Sequence, residues 1–583
     1  MTQPSSLKPS SPTPSVAWST ARRLAGISAI ALASAACGPN QDQVADLVLT
    51  GGTIVTVDEA LPEAEALAVW DGRIAAIGSV ADIEGWIGSK TRVVDLEGRA
   101  AYPGFIEGHA HYMRLGAGTL ELDLTEATSW DEIVALVADA AAQAQPGEFI
   151  AGRGWHQEKW TARPQPNVDG LPFHAGLSEV SPDNPVILVH ASGHASFANE
   201  HAMRLAGIDR ATENPEGGEI VRGPDGEPTG AFRETAAGLL APAREGTPPP
   251  DARRVALLAQ DEAFRNGITS FQDAGSGFGT IDLWKSMIDD GSLKIRLYGM
   301  IRADNDELAQ NMAEYRVVGY GDDRLTVRAL KVSIDGALGS HGAWLLEPYD
   351  DLPSSTGLNT APPEEIREKA RLALEHDYQL NVHAIGDRGN RETLDIFEEA
   401  YAEADSEDLR WRIEHAQHLH PADIPRFGAL GVIASMQGVH ATSDGPWVEP
   451  KLGEQRTEEG AYVWRSLWDS GAIVMNGTDA PVEDVSPIAS YSATVSRRMA
   501  NGERFTPDQR LDRMEALETY TINAAYGAFE EGMKGSLTPG KLADIVILSQ
   551  DILTVDEARI PETEVEMTIV GGEIVYERGT EGG

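Results

Sequence analysis

The chain has 583 residues, 42% hydrophobic and 24% charged, with a mean hydropathy of −0.26, which excludes both a disordered polymer and a multi-span membrane protein. Lys and Arg total 47 against 91 Asp and Glu, a net charge of −44, so the field of the protein repels phosphate backbones and excludes nucleic acid as a partner. The single cysteine, Cys37, excludes an internal disulfide, a cysteine zinc site and an iron–sulfur cluster, and leaves His, Asp, Glu and Lys for any metal chemistry.

In chain order, the first predicted element is a leader. Residues 1–36 hold no Asp or Glu, carry Lys8, Arg22 and Arg23, and end in an apolar, small-residue run over 24–36. That run is too short for the roughly 20 residues a membrane span needs, and its pattern predicts a secretory signal over 1–37. Cys37, directly after Ser34-Ala35-Ala36, resembles the acylated cysteine of a bacterial lipoprotein. It predicts an exported, cell-envelope or periplasmic protein whose one membrane contact is a lipid anchor. Next, 46–57 with 73–78, and far away 544–548 with 567–575, are short β-branched runs around Asp-Gly or Gly-Gly turns, the pattern of small hairpins. The two ends are therefore expected to meet in one β-sandwich built from 45–102 and 531–578.

Between them, apolar runs at 101–106, 269–273, 295–301, 328–334, 379–384, 411–415, 432–436 and 472–476 alternate with amphipathic stretches at 251–266, 281–290, 363–376 and 390–403. Eight such strands predict an α/β chain with a (β/α)8 TIM barrel over 103–119 and 249–530. The interval 120–248 is too long for one βα connection and is expected to be an inserted lid subdomain.

Barrel enzymes carry reactive groups at the C-terminal ends of their strands. Here those ends hold His109 and His111, Lys331, His383, His415 and Asp479. Imidazoles two apart on an extended chain share a side, so His109 and His111 can present themselves to one ion. Neutral imidazoles and a carboxylate suit a zinc-like divalent ion. Lys331 would be repelled by such an ion as an ammonium. As a neutral amine it could add CO2 to form a bridging carbamate; the other reading is a salt bridge to Asp335 or Glu234. His418 and His420 form a second pair beyond the strand and are expected at the surface or capping a helix. Glu414, next to His415 on a strand, is expected to face away from the site.

The stretches PGFIEGHAH, GRGWHQEKW, GITSFQDAG, LKVSIDGALGS, NVHAIGD, RIEHAQ, GTDAPVED, YTINAAYG and GSLTPGKLADIVIL resemble the amidohydrolase superfamily and, within it, the YtcJ-like branch that includes N-substituted formamide deformylases. The resemblance spans 46–575. It implies His109, His111 and Asp479 on one metal, His383 and His415 on a second, and carboxylated Lys331 bridging, with zinc the first choice and Mn, Fe or Co the others. It implies hydrolysis of an amide or formamide C–N bond in a small-molecule substrate by metal-bound hydroxide, with Asp479 as acid and base. Trp155, His156, Trp160 and His194 lie in the insertion, where aromatic faces could close over a bound substrate; for Trp155 and Trp160 the other reading is packing within the lid. His194, in SGHASFAN, matches a recurrent Gly-His element of the branch, which implies that it polarises a carbonyl, the other reading being a structural hydrogen bond, and 338–340 could line the pocket. Glu107, where many members have Asp, is a size change beside the ligands. The alternatives are a mononuclear deaminase, a lactone or ester hydrolase, and a non-catalytic binding lipoprotein. Oligomeric state is left open, a homodimer included.

Overall fold

Strands buried on both faces need cover on both sides, which repeated βα units supply. The computed structural model describes residues 44–580 except 248, 249, 405 and 407, so Cys37 and the leader lie outside the described residues. In it the eight runs become β1 (Phe105–Ala110), β2 (Ile268–Ser276), β3 (Arg296–Ile301), β4 (Leu325–Ser333), β5 (Gln379–Ala384), β6 (Arg412–His415), β7 (Ile433–Gln437) and β8 (Val474–Gly477). Every residue of β1, β3 and β5 is buried. Neighbouring strands pair in parallel from β1 through β8. The ring is then drawn shut at its C-terminal rim, where Asp479 N donates to His109 O at 2.8 Å and His111 N to Ala480 O at 2.8 Å. The fold is a TIM barrel with additional sheets. Among the described residues no helix is long and apolar enough to cross a membrane.

Two sheets stand beside the barrel. One has four strands, in the order Arg73–Gly78, Ala66–Trp70, Leu47–Thr50, Arg92–Asp95. The other has six and joins both ends of the chain: Ile545–Leu548 pairs with Ala100–Pro103 on one side and Val565–Val570 on the other. Leu47, Leu49, Ile54 and Val69 share one core with Ile545, Ile547 and Ile569. The Asp71-Gly72 and Gly571-Gly572 turns have positive φ at both residues, as a two-residue type I′ hairpin requires.

The expected strand 101–106 is in fact two. Ala100–Pro103 belongs to the outer sheet, and the chain passes at Gly104 into β1. A side chain at 104 would stand 2.3 Å from Thr269, so the crossing needs glycine. The apolar pattern could not show the break, because both halves are buried. The segment following β1 builds its own mixed six-stranded sheet between Leu122 and Glu234, with a separate core around Trp130, Ile133, Trp155 and Phe197.

Arg296 of β3 holds Asp544, the residue before Ile545–Leu548, through Nε at 2.7 Å and Nη2 at 3.0 Å, and both side chains are buried. Removing one partner of a buried pair strands the other charge. Asp544→Ala should therefore destabilise the protein by about 3–5 kcal/mol, seen as a lower urea midpoint, while Arg296→Met with Asp544→Leu should cost much less.

Candidate metal centre

The closing hydrogen bonds fix what faces the barrel mouth. His109 ends β1, His111 caps the helix Tyr112–Gly118, and Asp479 follows β8, so three groups from opposite ends of the barrel domain converge. Asp479 Oδ1 lies 3.2 Å from His111 Nε2 and 3.5 Å from His109 Nε2. One ligand atom of each residue falls within 4.8 Å of the others. The His415 ring stands 4.6 Å from that of His109 and 4.5 Å from that of His383, whose own neighbour at 4.9 Å is His194. Lys331 of β4 lines the same cavity.

Three of the imidazoles are oriented from behind. His109 Nδ1 donates to Glu414 at 2.5 Å, His415 Nδ1 to Gln437 Oε1 at 2.7 Å, and His194 Nδ1 to Glu234 at 2.7 Å. In each case the opposite nitrogen is left for a ligand. Glu234 needs room that only glycine gives: a Cβ at Gly336 or Gly342 would sit 2.1 or 2.2 Å from its Oε1. His415, Asp479 and Glu234 have φ of +78°, +58° and +51°, a strain of about 1–3 kcal/mol each that the surrounding structure must impose.

Burial pushes the His111 imidazole down to about 3 and His383 and His415 well below their ordinary range, so all three are neutral donors. Burial would raise Asp479, but His109 and His111 hold it well below the usual carboxylate range. Burial brings the Lys331 amine down to about 8. Lys331 makes no ion pair with either salt-bridge partner considered for it. Glu234 is paired with His194, and Asp335 accepts the backbone N–H groups of Trp344, Ile385 and Gly386 at 2.8–3.0 Å.

Among the buried atoms here that make no hydrogen bond are His109 Nε2, His383 Nε2, Lys331 Nζ and Asp479 Oδ1, with Glu234 Oε1 and Glu414 Oε1 behind them. Leaving so many polar atoms unpaired is costly unless a cation takes their lone pairs, and imidazole with carboxylate is the donor set of a zinc-type ion. The residues present fit a divalent metal.

Glu414 is the main correction to the sequence reading. It is fully buried and points at His109, because the positive φ of His415 breaks the strand alternation that would have set the two on opposite faces. Burial opposes its ionisation, yet His109, Lys331 and Arg412 bring it down to about 2. Glu107 is a strut that accepts from Thr478 N at 2.8 Å and Thr478 Oγ1 at 3.0 Å, tying β1 to the end of β8. Trp155 and Trp160 do not reach the cavity: both pack in the core of the inserted sheet, where Trp155 Nε1 donates to Leu188 O. His156 and His194 do reach it, as do Leu338 and Gly339, whereas Ser340 turns its hydroxyl back to Ala337 O. His420 is exposed and its Nδ1 accepts from Ala422 N, but His418 is buried beneath Tyr462. Sequence reasoning missed His440, Asp444 and Trp447, which line the cavity from the helix Gly438–Gly460; their i, i+4, i+7 spacing was the available signal.

A closed (β/α)8 barrel with imidazoles, a lysine and a carboxylate at its C-terminal mouth defines a metal-dependent hydrolase. The amidohydrolase family pattern matches residues 92–576, and the chain belongs to that family. It is 36% identical to the Arabidopsis thaliana protein LONG AFTER FAR-RED 3, over 91% of this chain and 92% of that one. Identity to YtcJ of Bacillus subtilis is 30%, over 91% and 99% of the two chains, and to N-substituted formamide deformylase of Arthrobacter pascens 28%, over 92% and 99%. Among solved structures, an uncharacterized metal-dependent hydrolase from Pyrococcus horikoshii superposes with a TM-score of 0.70 at 25% identity, covering 88% of this chain and 99% of that one.

Glu414 sets the ring of His109, so Glu414→Gln should weaken metal binding by about 10–100-fold with the fold intact, measured as metal retained on dialysis against a chelator series together with circular dichroism.

Proposed function

We propose that the protein hydrolyses a C–N bond of the amide or formamide type in a small uncharged-carbonyl substrate. The observation that carries this is Asp479 Oδ1, buried and without a hydrogen bond, facing the imidazoles of His109 and His111 at a cavity lined by His194. Two divalent ions, zinc first, would be held by His109, His111 and Asp479 and by His383 and His415, with a carbamate formed from Lys331 Nζ and CO2, with loss of a proton, between them. When bound they supply Lewis acidity at the carbonyl and make water acidic near neutral pH. Asp479 accepts the proton of the attacking water and passes it to the departing nitrogen, which becomes basic as the C–N bond breaks. His194, kept protonated by its pairing with Glu234, donates from Nε2 to the carbonyl oxygen. The name of the Arthrobacter pascens relative, a formamide deformylase aligned over nearly its whole length, supports a C–N bond over an ester.

The second reading is a one-metal deaminase or lactonase, favoured by the close grouping of His109, His111 and Asp479 alone. Metal counting separates the two. The metal-loaded protein should hold about two equivalents by mass spectrometry, and Lys331→Ala about one, with a short carboxylic acid restoring the second. A panel of formamides, N-acyl amino acids, hydantoins and lactones should show turnover of amides, and Asp479→Asn should lower kcat by at least about 10²-fold. Turnover of lactones alone, or an Asp479→Asn enzyme as fast as the native one, would sink the proposal.

The leader carries a further expectation, export with acylation of Cys37. Labelled palmitate should enter the native protein and not Cys37→Ser, which should leave the membrane fraction.

A further inference from the structure

Two cavities meet at the histidine cluster and share Ser192, His194, His383, His415 and Asp479 as a common wall. Beyond that wall they differ in charge. One is lined by two arginines, Arg114 and Arg302. Neither arginine has a carboxylate partner within 4 Å among the described residues; Arg302 only donates to Ser333 Oγ at 3.1 Å. Of the two acids on that side, Glu234 pairs with His194 through one oxygen and Asp335 accepts backbone N–H groups. The other cavity is lined by Asp444 and Glu483 and by no Lys or Arg. Lys159 pairs with Glu483 at 3.5 Å but does not line the cavity.

The second cavity also holds buried donors with nothing to donate to. Gln417 Nε2 donates to His440 Nδ1 at 3.0 Å, which puts the imidazole hydrogen on Nε2. That N–H is buried and makes no hydrogen bond, and the same is true of Trp447 Nε1. Both residues are more than nine-tenths buried, and they lie with Asp444 on one face of Gly438–Gly460. The Trp447 ring stands 5.6 Å from that of His156, so one wall of the cavity is aromatic. Buried donors at a cavity wall call for an acceptor, which a water or a bound ligand supplies.

Amide hydrolysis itself separates charge. Water adds its oxygen to the carbonyl carbon, the C–N bond breaks, and a neutral amide becomes a carboxylate and an amine that takes up a proton. We infer that the two cavities orient the substrate: its acyl side enters the arginine-lined cavity, and its amine side enters the cavity of His156, His440, Asp444 and Trp447. This rests on the C–N hydrolysis proposed above. The amine portion is then aromatic or apolar, carries a neutral acceptor such as an ether or carbonyl oxygen for His440 Nε2 and Trp447 Nε1, and bears no carboxylate, since Asp444 and Glu483 would repel one. N-acyl amino acids are excluded in this orientation.

The test uses the metal-loaded protein and two product-like probes, acetate and para-methoxyphenethylamine, with dissociation constants from calorimetry. Arg114→Gln with Arg302→Gln should weaken acetate about tenfold and the amine less than about twofold, whereas His440→Phe with Trp447→Phe should do the reverse. Acetate binding unchanged by the arginine pair, or lost with the helix-face pair, overturns the assignment; so does a native protein that binds neither probe below about 10 mM. Turnover of the amide panel in the same preparations tests the reaction class separately. Hydrolysis of amides without this binding pattern overturns the orientation alone, and the pattern without any amide hydrolysis overturns the reaction class.

Discussion

The site depends on one closure. Until β8 returns beside β1, His109 and Asp479 are 370 residues apart in the chain, and the donor set does not exist. The reciprocal backbone bonds from Asp479 to His109 and from His111 to Ala480 do this at the level of the atoms that matter, and Glu107 reinforces them by bracing Thr478. The same closure forces Asp479 into a left-handed backbone that an isolated chain would avoid. Barrel stability thus supplies the strain, and the strain aims the carboxylate.

Around that closure the rest is support. The terminal segments share one sheet whose strand Ile545–Leu548 pairs with the strand leading into β1, so the end of the chain steadies the strand that delivers His109. Arg296 and Asp544 lock that sheet to the barrel. The inserted segment gives the mouth its roof through His190, Ser192, His194 and Glu234, while its tryptophans stabilise the insertion itself. Catalytic geometry and structural weight are carried by different residues of the same segment.

Much of this was legible from local pattern. Alternation of buried strands with amphipathic helices gave the barrel, and polar residues closing otherwise apolar strands gave His109, Lys331, His383, His415 and Asp479. Sequence reasoning failed where a local rule was overridden. Strand alternation sent Glu414 outward, but the φ of His415 turns both side chains toward the site. For Trp155 and Trp160 the residues left substrate contact and packing within the insertion open, and packing is what they do, because a large apolar surface is better buried in a core when one is within reach. Continuous burial hid the crossing at Gly104.

The sequence by itself determined the inventory: which groups can bind a metal, that cysteine is not among them in the folded body, and that the ends of the chain and its middle follow different periodicities. These follow from chemistry and from spacing along a chain, which are local properties. Tertiary structure alone decided which groups stand behind the imidazoles, and that the mouth divides into a cavity with two arginines and one with acids and no Lys or Arg. Arg114, Arg302, Asp444 and Glu483 are ordinary surface-type residues in the sequence. They acquire a meaning through the side of the histidine cluster on which the closed barrel and its roof place them, because charge acts through space and not along the chain.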